Sequence, residues 1–270
     1  MNRTRWLLLA CALPLVLVLG VLLSAGLGGG GGGGSPPPTA TQPAYVPDSA
    51  ERVNVGSGVT AAAIFRPRDG TAGPVVVFLH GWGAVDPAFY GPWIDHLVRR
   101  GTTVIYPAYQ KAPFLDAVTP LPNTLDALRM AFEEVPITAQ RLVVAGHSAG
   151  GALAADYAAS AKAAGLPVPA AVFSVYPGRS IGDRTPVQLK PVDAGDIAPG
   201  TRMLVLAGAR DRLVGTRWAR EIARTATRAD LTLRIVRDPA VDDHGAPARA
   251  EPASRRQFWA PLDRLVDATG

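Results

Sequence analysis

Residues 141–160 read RLVVAGHSAGGALAADYAAS, and this stretch decides the fold. Residues 141–146 are a short apolar run, rich in valine and closed by glycine, which predicts a buried strand. Residues 149–164 are alanine-rich and predict a helix. Between them Gly146-His147-Ser148-Ala149-Gly150 is a G-x-S-x-G pentapeptide. A serine between a strand and a helix sits on a sharp turn that lifts its hydroxyl beside the helix N-terminus, the geometry of a nucleophile elbow. The two glycines relieve crowding around that turn. The amide of Ala149 is placed to donate to a developing oxyanion, and the helix dipole adds positive potential there.

Working outward, the pattern repeats. Residues 74–80 (PVVVFLH), 102–106 (TTVIY), 170–176 (AAVFSVY), 203–208 (MLVLAG) and 231–237 (LTLRIVR) are apolar runs of strand length. Such runs without alternation predict strands covered on both faces. Helical patterns lie between them. Residues 88–100 bring Phe89, Trp93, Ile94 and Leu97 toward one face, and residues 124–134 do the same with Leu125, Leu128, Met130 and Phe132. Residues 216–227 and 254–267 complete the series. Residues 52–55 and 60–65, around a GSG, predict a leading hairpin. The alternation predicts a doubly wound, mostly parallel α/β sheet with helices on both faces. Ligands of such a sheet bind beyond the carboxyl ends of the strands.

The whole chain has 270 residues, 48% of them apolar and 18% charged, with a formal charge of +5. That balance excludes a disordered chain. One cysteine excludes a disulfide framework and a Cys-rich zinc site, and four histidines leave little room for a metal cluster. Residues 6–23 are an uncharged apolar run behind Arg3 and Arg5, which predicts a signal peptide or a retained membrane anchor over residues 1–27. Either places the rest of the chain outside the cytoplasm, anchored or secreted. Seven glycines at 28–34 and three prolines at 36–38 predict a flexible linker over residues 28–45. Residues 46–270 are the expected catalytic domain. Its arginines are dispersed, without a basic tail or an aromatic-basic stripe, so nucleic acid is not an expected partner.

A nucleophilic serine needs a base. His147 adjoins Ser148, His96 lies inside a helical pattern, and His80 opens His80-Gly81-Trp82-Gly83. His244 remains, in a loop after the last predicted strand. Asp211, just past the end of 203–208, is the expected third member, in the chain order Ser, Asp, His. Its alternative role is a helix cap. Asp238, Asp242 and Asp243 are the other carboxylates considered, and the last two are expected to shape the loop of His244. After the strand 74–80, the backbone N–H of Trp82 is expected to complete an oxyanion hole with that of Ala149.

FLHGWG, GHSAGG, LAGARD and DDHG each follow a predicted strand. On these motifs residues 50–270 resemble the α/β-hydrolase superfamily. FLHGWGAVDPAFYGPWIDHL, IYPAY and GHSAGG look like exported esterases near the dienelactone-hydrolase and hormone-sensitive-lipase branches. The latter branch usually shows HGGG and GDSAGG, and this chain does not. The resemblance implies a serine esterase or lipase: Ser148 attacks an ester, His244 acts as base and Asp211 holds it, with no metal and no organic cofactor. An acyltransferase or peptidase on the same residues, and a non-catalytic binding protein on this fold, are the alternatives. The segment 177–202 is too short and too rich in Pro, Gly and Asp for a large lid, so a small-molecule ester with a short or medium acyl chain is the expected substrate. Gly81, Trp82, Tyr90, Trp93, Tyr109, Phe114 and Tyr176 are candidate pocket residues. Oligomeric state is not legible in the sequence.

Overall fold

The computed structural model describes residues 44–70, 73–111, 119–180 and 189–269. The chain divides into two units, Met1–Ala44 and Tyr45–Gly270, and the fold is that of the second. The expected leader (1–27), most of the linker (28–45) and Phe114 lie outside the described residues. Among those described, no helix is long and apolar enough to cross a membrane.

Eight strands form one sheet: β1 (Ala50–Val55), β2 (Ala62–Pro67), β3 (Val75–Leu79), β4 (Thr103–Pro107), β5 (Leu142–His147), β6 (Ala171–Val175), β7 (Arg202–Gly208) and β8 (Asp230–Val236). Their spatial order is β1-β2-β4-β3-β5-β6-β7-β8. β2 runs antiparallel to β1 and β4, and every pair from β4 to β8 is parallel. The leading hairpin forms because the chain reverses through Gly56 and Gly58, both at positive φ. At Gly56 a β-carbon would lie 2.4 Å from the Thr60 carbonyl oxygen.

The central strands are covered on both faces, as their apolar runs require. Val75, Val77 and Leu79 of β3 join one core with helices α2 (Pro120–Glu134), α3 (Ala149–Ser160) and α4 (Arg217–Thr225). Val76 and Phe78 join the other with α1 (Gly91–Arg99) and the C-terminal α5 (Ala260–Asp267). At the edge, β8 alternates exposed and half-buried residues over most of its length, since Leu231, Leu233 and Ile235 pack on the core while Thr232 and Arg234 on the other face are exposed. LTLRIVR therefore departs from the expected continuous burial.

Three helical details differ from the sequence pattern. α2 begins at Pro120 rather than 124, because proline is tolerated in a first turn where no N–H is needed. Its buried face is Thr124, Ala127, Leu128 and Ala131, whereas Leu125, Met130 and Phe132 are only partly buried. Phe89 precedes α1 in a short 3-10 turn and is exposed. Before α5 the backbone widens into a π turn at Arg255–Trp259, where the Ala260 N–H donates to the Arg255 carbonyl. Pro261 follows and has no N–H to continue the ordinary ladder.

α3 is buried all round from Ala149 to Ala159, so small alanines line it and its single charge, Asp156, needs a partner. Arg179 supplies one through two hydrogen bonds of 2.7 and 2.6 Å, with both side chains almost wholly buried. Burial pushes the Asp156 carboxyl upward against the pull of Arg179. Asp156→Ala strands a buried guanidinium and is expected to cost about 3–5 kcal/mol in urea unfolding, whereas the double replacement Asp156→Leu/Arg179→Met is expected to restore most of it. Equal losses in the single and double variants would contradict this account.

Candidate active site

Every motif named above lies at the carboxyl rim of the sheet. β5 ends in His147, and Ser148 follows at φ 59°, ψ −122°, directly before α3. That left-handed φ is strained for a residue with a side chain. The flanking glycines are steric necessities. A β-carbon at Gly146 would lie 2.1 Å from the Gly150 carbonyl oxygen, and one at Gly150 would lie 2.0 Å from that of Leu79. Ser148 occupies the N-cap position of α3 but makes no side-chain cap. Its hydroxyl oxygen instead lies 2.9 Å from Nε2 of His244.

His244 Nδ1 lies 2.7 Å from Asp211 Oδ2. A carboxylate at Nδ1 fixes the proton there and leaves Nε2 to accept from the serine. Asp211 serves both of the roles open to it. Its Oδ1 accepts from the amides of Leu213 and Val214, as a turn cap does, while Oδ2 faces the imidazole. The loop of His244 is pinned on each side. Asp242 is buried and accepts from Arg210 Nε, Asp243 accepts from Arg249 and from the Gly245 amide, and the Tyr176 hydroxyl donates to the Val241 carbonyl. Asp238 caps the Ala240 amide.

The loop after β3 approaches the serine from the other side. A β-carbon at Gly81 would stand 3.5 Å from Ser148 Cβ. In this loop the amides of Gly81, Gly83 and Ala84 donate to the Tyr90 hydroxyl, the Gln110 side-chain oxygen Oε1 and the Gly81 backbone carbonyl. Trp82 is half-buried and packs against the core. The Ala149 N–H opens α3, where no helical carbonyl lies behind it.

Four of the expected pocket aromatics belong to the interior instead. Trp93 stacks on Trp259 and meets Phe78 and Phe173 edge-on, in the core beneath α1 and α5. Tyr109 lies over His80 and donates to the His80 carbonyl. Tyr176 packs on Phe258 as it holds the Val241 carbonyl. Tyr90 is buried against Phe78. An aromatic ring reads alike in a sequence whether it lines a cleft or fills a core. Tyr109 and Tyr176 also take positive φ, at 39° and 47°. With Ser148 they give three strained residues just past the ends of β4, β5 and β6, and no residue type announced the two tyrosines. A cavity of about 290 Å³ between residues 191–194 and α4 is lined by Arg179, Trp218 and Glu221 among others, and by none of Ser148, Asp211 or His244.

Two histidines of the rim are buried. Both nitrogens of His80 face carbonyl oxygens, which favours its cation, yet complete burial outweighs this and holds it down to about 4. Burial, and next the neighbouring His244, hold His147 well below the ordinary value of 6.5. An unfolded chain protonates both below about 6.5, so it binds more protons than the native state. Stability is expected to be full above that pH and to fall as pH drops toward 4, by about 3 kcal/mol for His80 alone. Urea midpoints between about pH 6.5 and 5 test this, because ordinary carboxylates titrate lower. A flat midpoint across that window would show the two imidazoles to be charged when folded.

Residues 76–233 match a family model described as alpha/beta hydrolase fold. The chain belongs to this family. Solved structures of esterases and lipases resemble it over most of its length. A hormone-sensitive lipase from a metagenome library superposes with a TM-score of 0.66 at 17% identity, over 84% of this chain and 87% of that one. A Rhizomucor miehei esterase gives 0.61 at 20% identity, over 84% and 86%. A candidate dienelactone hydrolase of Klebsiella pneumoniae gives 0.59 at 19%, over 80% and 99%. At such identities the likeness is one of fold. A curated relative, a non-reducing polyketide synthase of Acremonium egyptiacum, is 29% identical over 133 residues, 43% of this chain. The chain spans about 6% of that protein's length. No large lid stands over the rim among the described residues, and residues 189–201 hold only the short turn Ala194–Asp196.

Proposed function

We propose that this α/β hydrolase cleaves carboxylic esters with a Ser148–His244–Asp211 triad. One observation carries the reading: the unbroken line from Ser148 Oγ through His244 to Asp211, at 2.9 and 2.7 Å, set on a strained turn before a helix. In this reaction Oγ attacks the ester carbonyl carbon while Nε2 takes its proton. The carbonyl oxygen becomes an anion and is held by the amides of Ala149 and Trp82. The intermediate collapses, the C–O bond to the alcohol breaks, and His244 returns the proton to the leaving alkoxide. Water then repeats the sequence on the acyl-enzyme, releasing the acid and Ser148. Asp211 keeps the imidazole in one tautomer and steadies its positive charge.

The absence of a large lid among the described residues favours small esters with short or medium acyl chains. The apolar leader supports an exported enzyme, tethered or released. The test is to incubate the full-length protein with a fluorophosphonate, map the adduct, and measure p-nitrophenyl ester turnover against chain length. The expected result is an adduct on Ser148 and a rate that falls for long chains. No adduct and no turnover of any ester would overturn the proposal. N-terminal sequencing of the exported protein distinguishes tether from release.

A further inference from the structure

We infer that Tyr90 and His147 form a positioning relay that locks the loop after β3 to the loop carrying His244. The inference rests on the proposed triad for its catalytic meaning, though its geometry stands apart from it. The Gly81 N–H donates to the Tyr90 hydroxyl oxygen over 3.1 Å. The Tyr90 oxygen lies 2.8 Å from His147 Nδ1, and His147 Nε2 lies 2.9 Å from the backbone carbonyl oxygen of His244.

Donor and acceptor rules give this chain one direction. A carbonyl can only accept, so Nε2 of His147 carries the proton. In the neutral ring Nδ1 must then accept, and the Tyr90 hydroxyl spends its only proton there. The hydroxyl oxygen remains to accept from Gly81. Each of the three bonds fixes the next, and each polar atom of the two buried side chains has a partner. Burial of His147 keeps the ring neutral, in agreement with the direction of the bonds.

The relay passes close beneath the serine. A β-carbon at Gly81 would lie 3.1 Å from the Tyr90 oxygen, 3.5 Å from Ser148 Cβ and 3.6 Å from His147 Nδ1. The ring of His147 is 4.9 Å from that of His244. Three separate segments therefore meet in one buried line: the loop after β3, the elbow, and the base loop. The residue between the glycine and the serine of G-x-S-x-G thus has work of its own. It sets the distance between the amides that hold the oxyanion and the imidazole that moves the proton. Small displacements of such groups weaken transition-state contacts more than substrate binding. A neutral His147 also spares the imidazolium of His244 a like charge at its side.

The test uses the full chain with three substitutions. Tyr90→Phe keeps the ring and removes the hydroxyl. His147→Gln keeps a donor for the His244 carbonyl and removes the acceptor for Tyr90. Their combination closes the cycle. With serine sites counted by fluorophosphonate titration, each single variant is expected to lower kcat per site about 10- to 100-fold, with KM within about twofold. The double variant is expected to lose no more than the worse single one, because both break the same chain. A nitrogen-15 spectrum of His147 is expected to show a neutral ring protonated at Nε2, and this reading needs no substrate. Wild-type kcat in Tyr90→Phe, additive losses in the double variant, or a proton on Nδ1 would each overturn the relay. An inactive wild-type protein would instead overturn the esterase reading, while the tautomer still decides the relay. Should His147→Gln fail to fold, Tyr90→Phe and the tautomer decide it.

Discussion

Ser148→Ala is expected to lower kcat for p-nitrophenyl esters by about 10⁵- to 10⁶-fold, and Asp211→Asn by about 10⁴-fold. The two losses have different origins. Alanine at 148 removes the attacking oxygen, so only water activated beside the remaining amides can react. Asparagine at 211 leaves a donor where His244 Nδ1–H needs an acceptor over 2.7 Å. The imidazole then turns to the other tautomer and presents N–H to the serine, which cannot be deprotonated by it. Asp211 also accepts from Leu213 and Val214, bonds that the asparagine oxygen retains. Both variants should therefore melt within a few degrees of wild type, and thermal unfolding run beside the assay checks that the loss is chemical. Full activity in Asp211→Asn would move the third role to another carboxylate. Asp242 and Asp243 are the nearest in sequence to His244, but they are engaged by Arg210 and Arg249.

Gly150→Ala is expected to destabilise the protein by more than about 4 kcal/mol, enough to keep most of the chain from accumulating folded. The added carbon would meet the carbonyl oxygens of Leu79 and His80 at 2.0 and 2.4 Å. Those are backbone atoms at the end of a central strand, and they cannot swing aside as a side chain can. α3 would have to lift from β3 and carry Ser148 with it. Gly165→Ala is the control. Gly165 also needs left-handed backbone, at φ 67°, but has open space around it. It is expected to cost about 1 kcal/mol. Similar urea midpoints in the two variants would show that close approach of α3 to β3 is not what Gly150 secures.

The parallel sheet was legible because its signal is local: short apolar runs, most of them ended by a glycine, proline or histidine. The meeting of Ser148, Asp211 and His244 was legible because a known topology puts successive strand ends on one rim, and because few histidines competed. What could not be read has a common cause. Trp93, Tyr90, Tyr109 and Tyr176 are aromatic residues close to the motifs, and nothing in their identity separates cleft from core. The pairing of Asp156 with Arg179 and the contact of His147 with Tyr90 join positions far apart in the chain. They depend on which way each side chain leaves its backbone. The face of α2 was misjudged because large apolar residues were counted, whereas Thr124, Ala127 and Ala131 let the helix sit close to the sheet.

The strained residues at the carboxyl rim bear on any attempt to make this protein more heat-resistant. On the opposite rim the left-handed turns before β3, β4, β6 and β7 fall to Gly70, Gly101, Gly165 and Gly200, which adopt them at no steric cost. At the carboxyl rim a positive φ is imposed on Ser148, Tyr109 and Tyr176, which carry side chains. Glycine there would relax the chain and delete the hydroxyl groups of all three. Two of these tether neighbouring loops, to the carbonyls of His80 and Val241, and the third faces His244. Relieving strain at these three positions would therefore remove the contacts that hold the rim together, whereas the amino-terminal turns can be changed at a distance from Ser148 and His244.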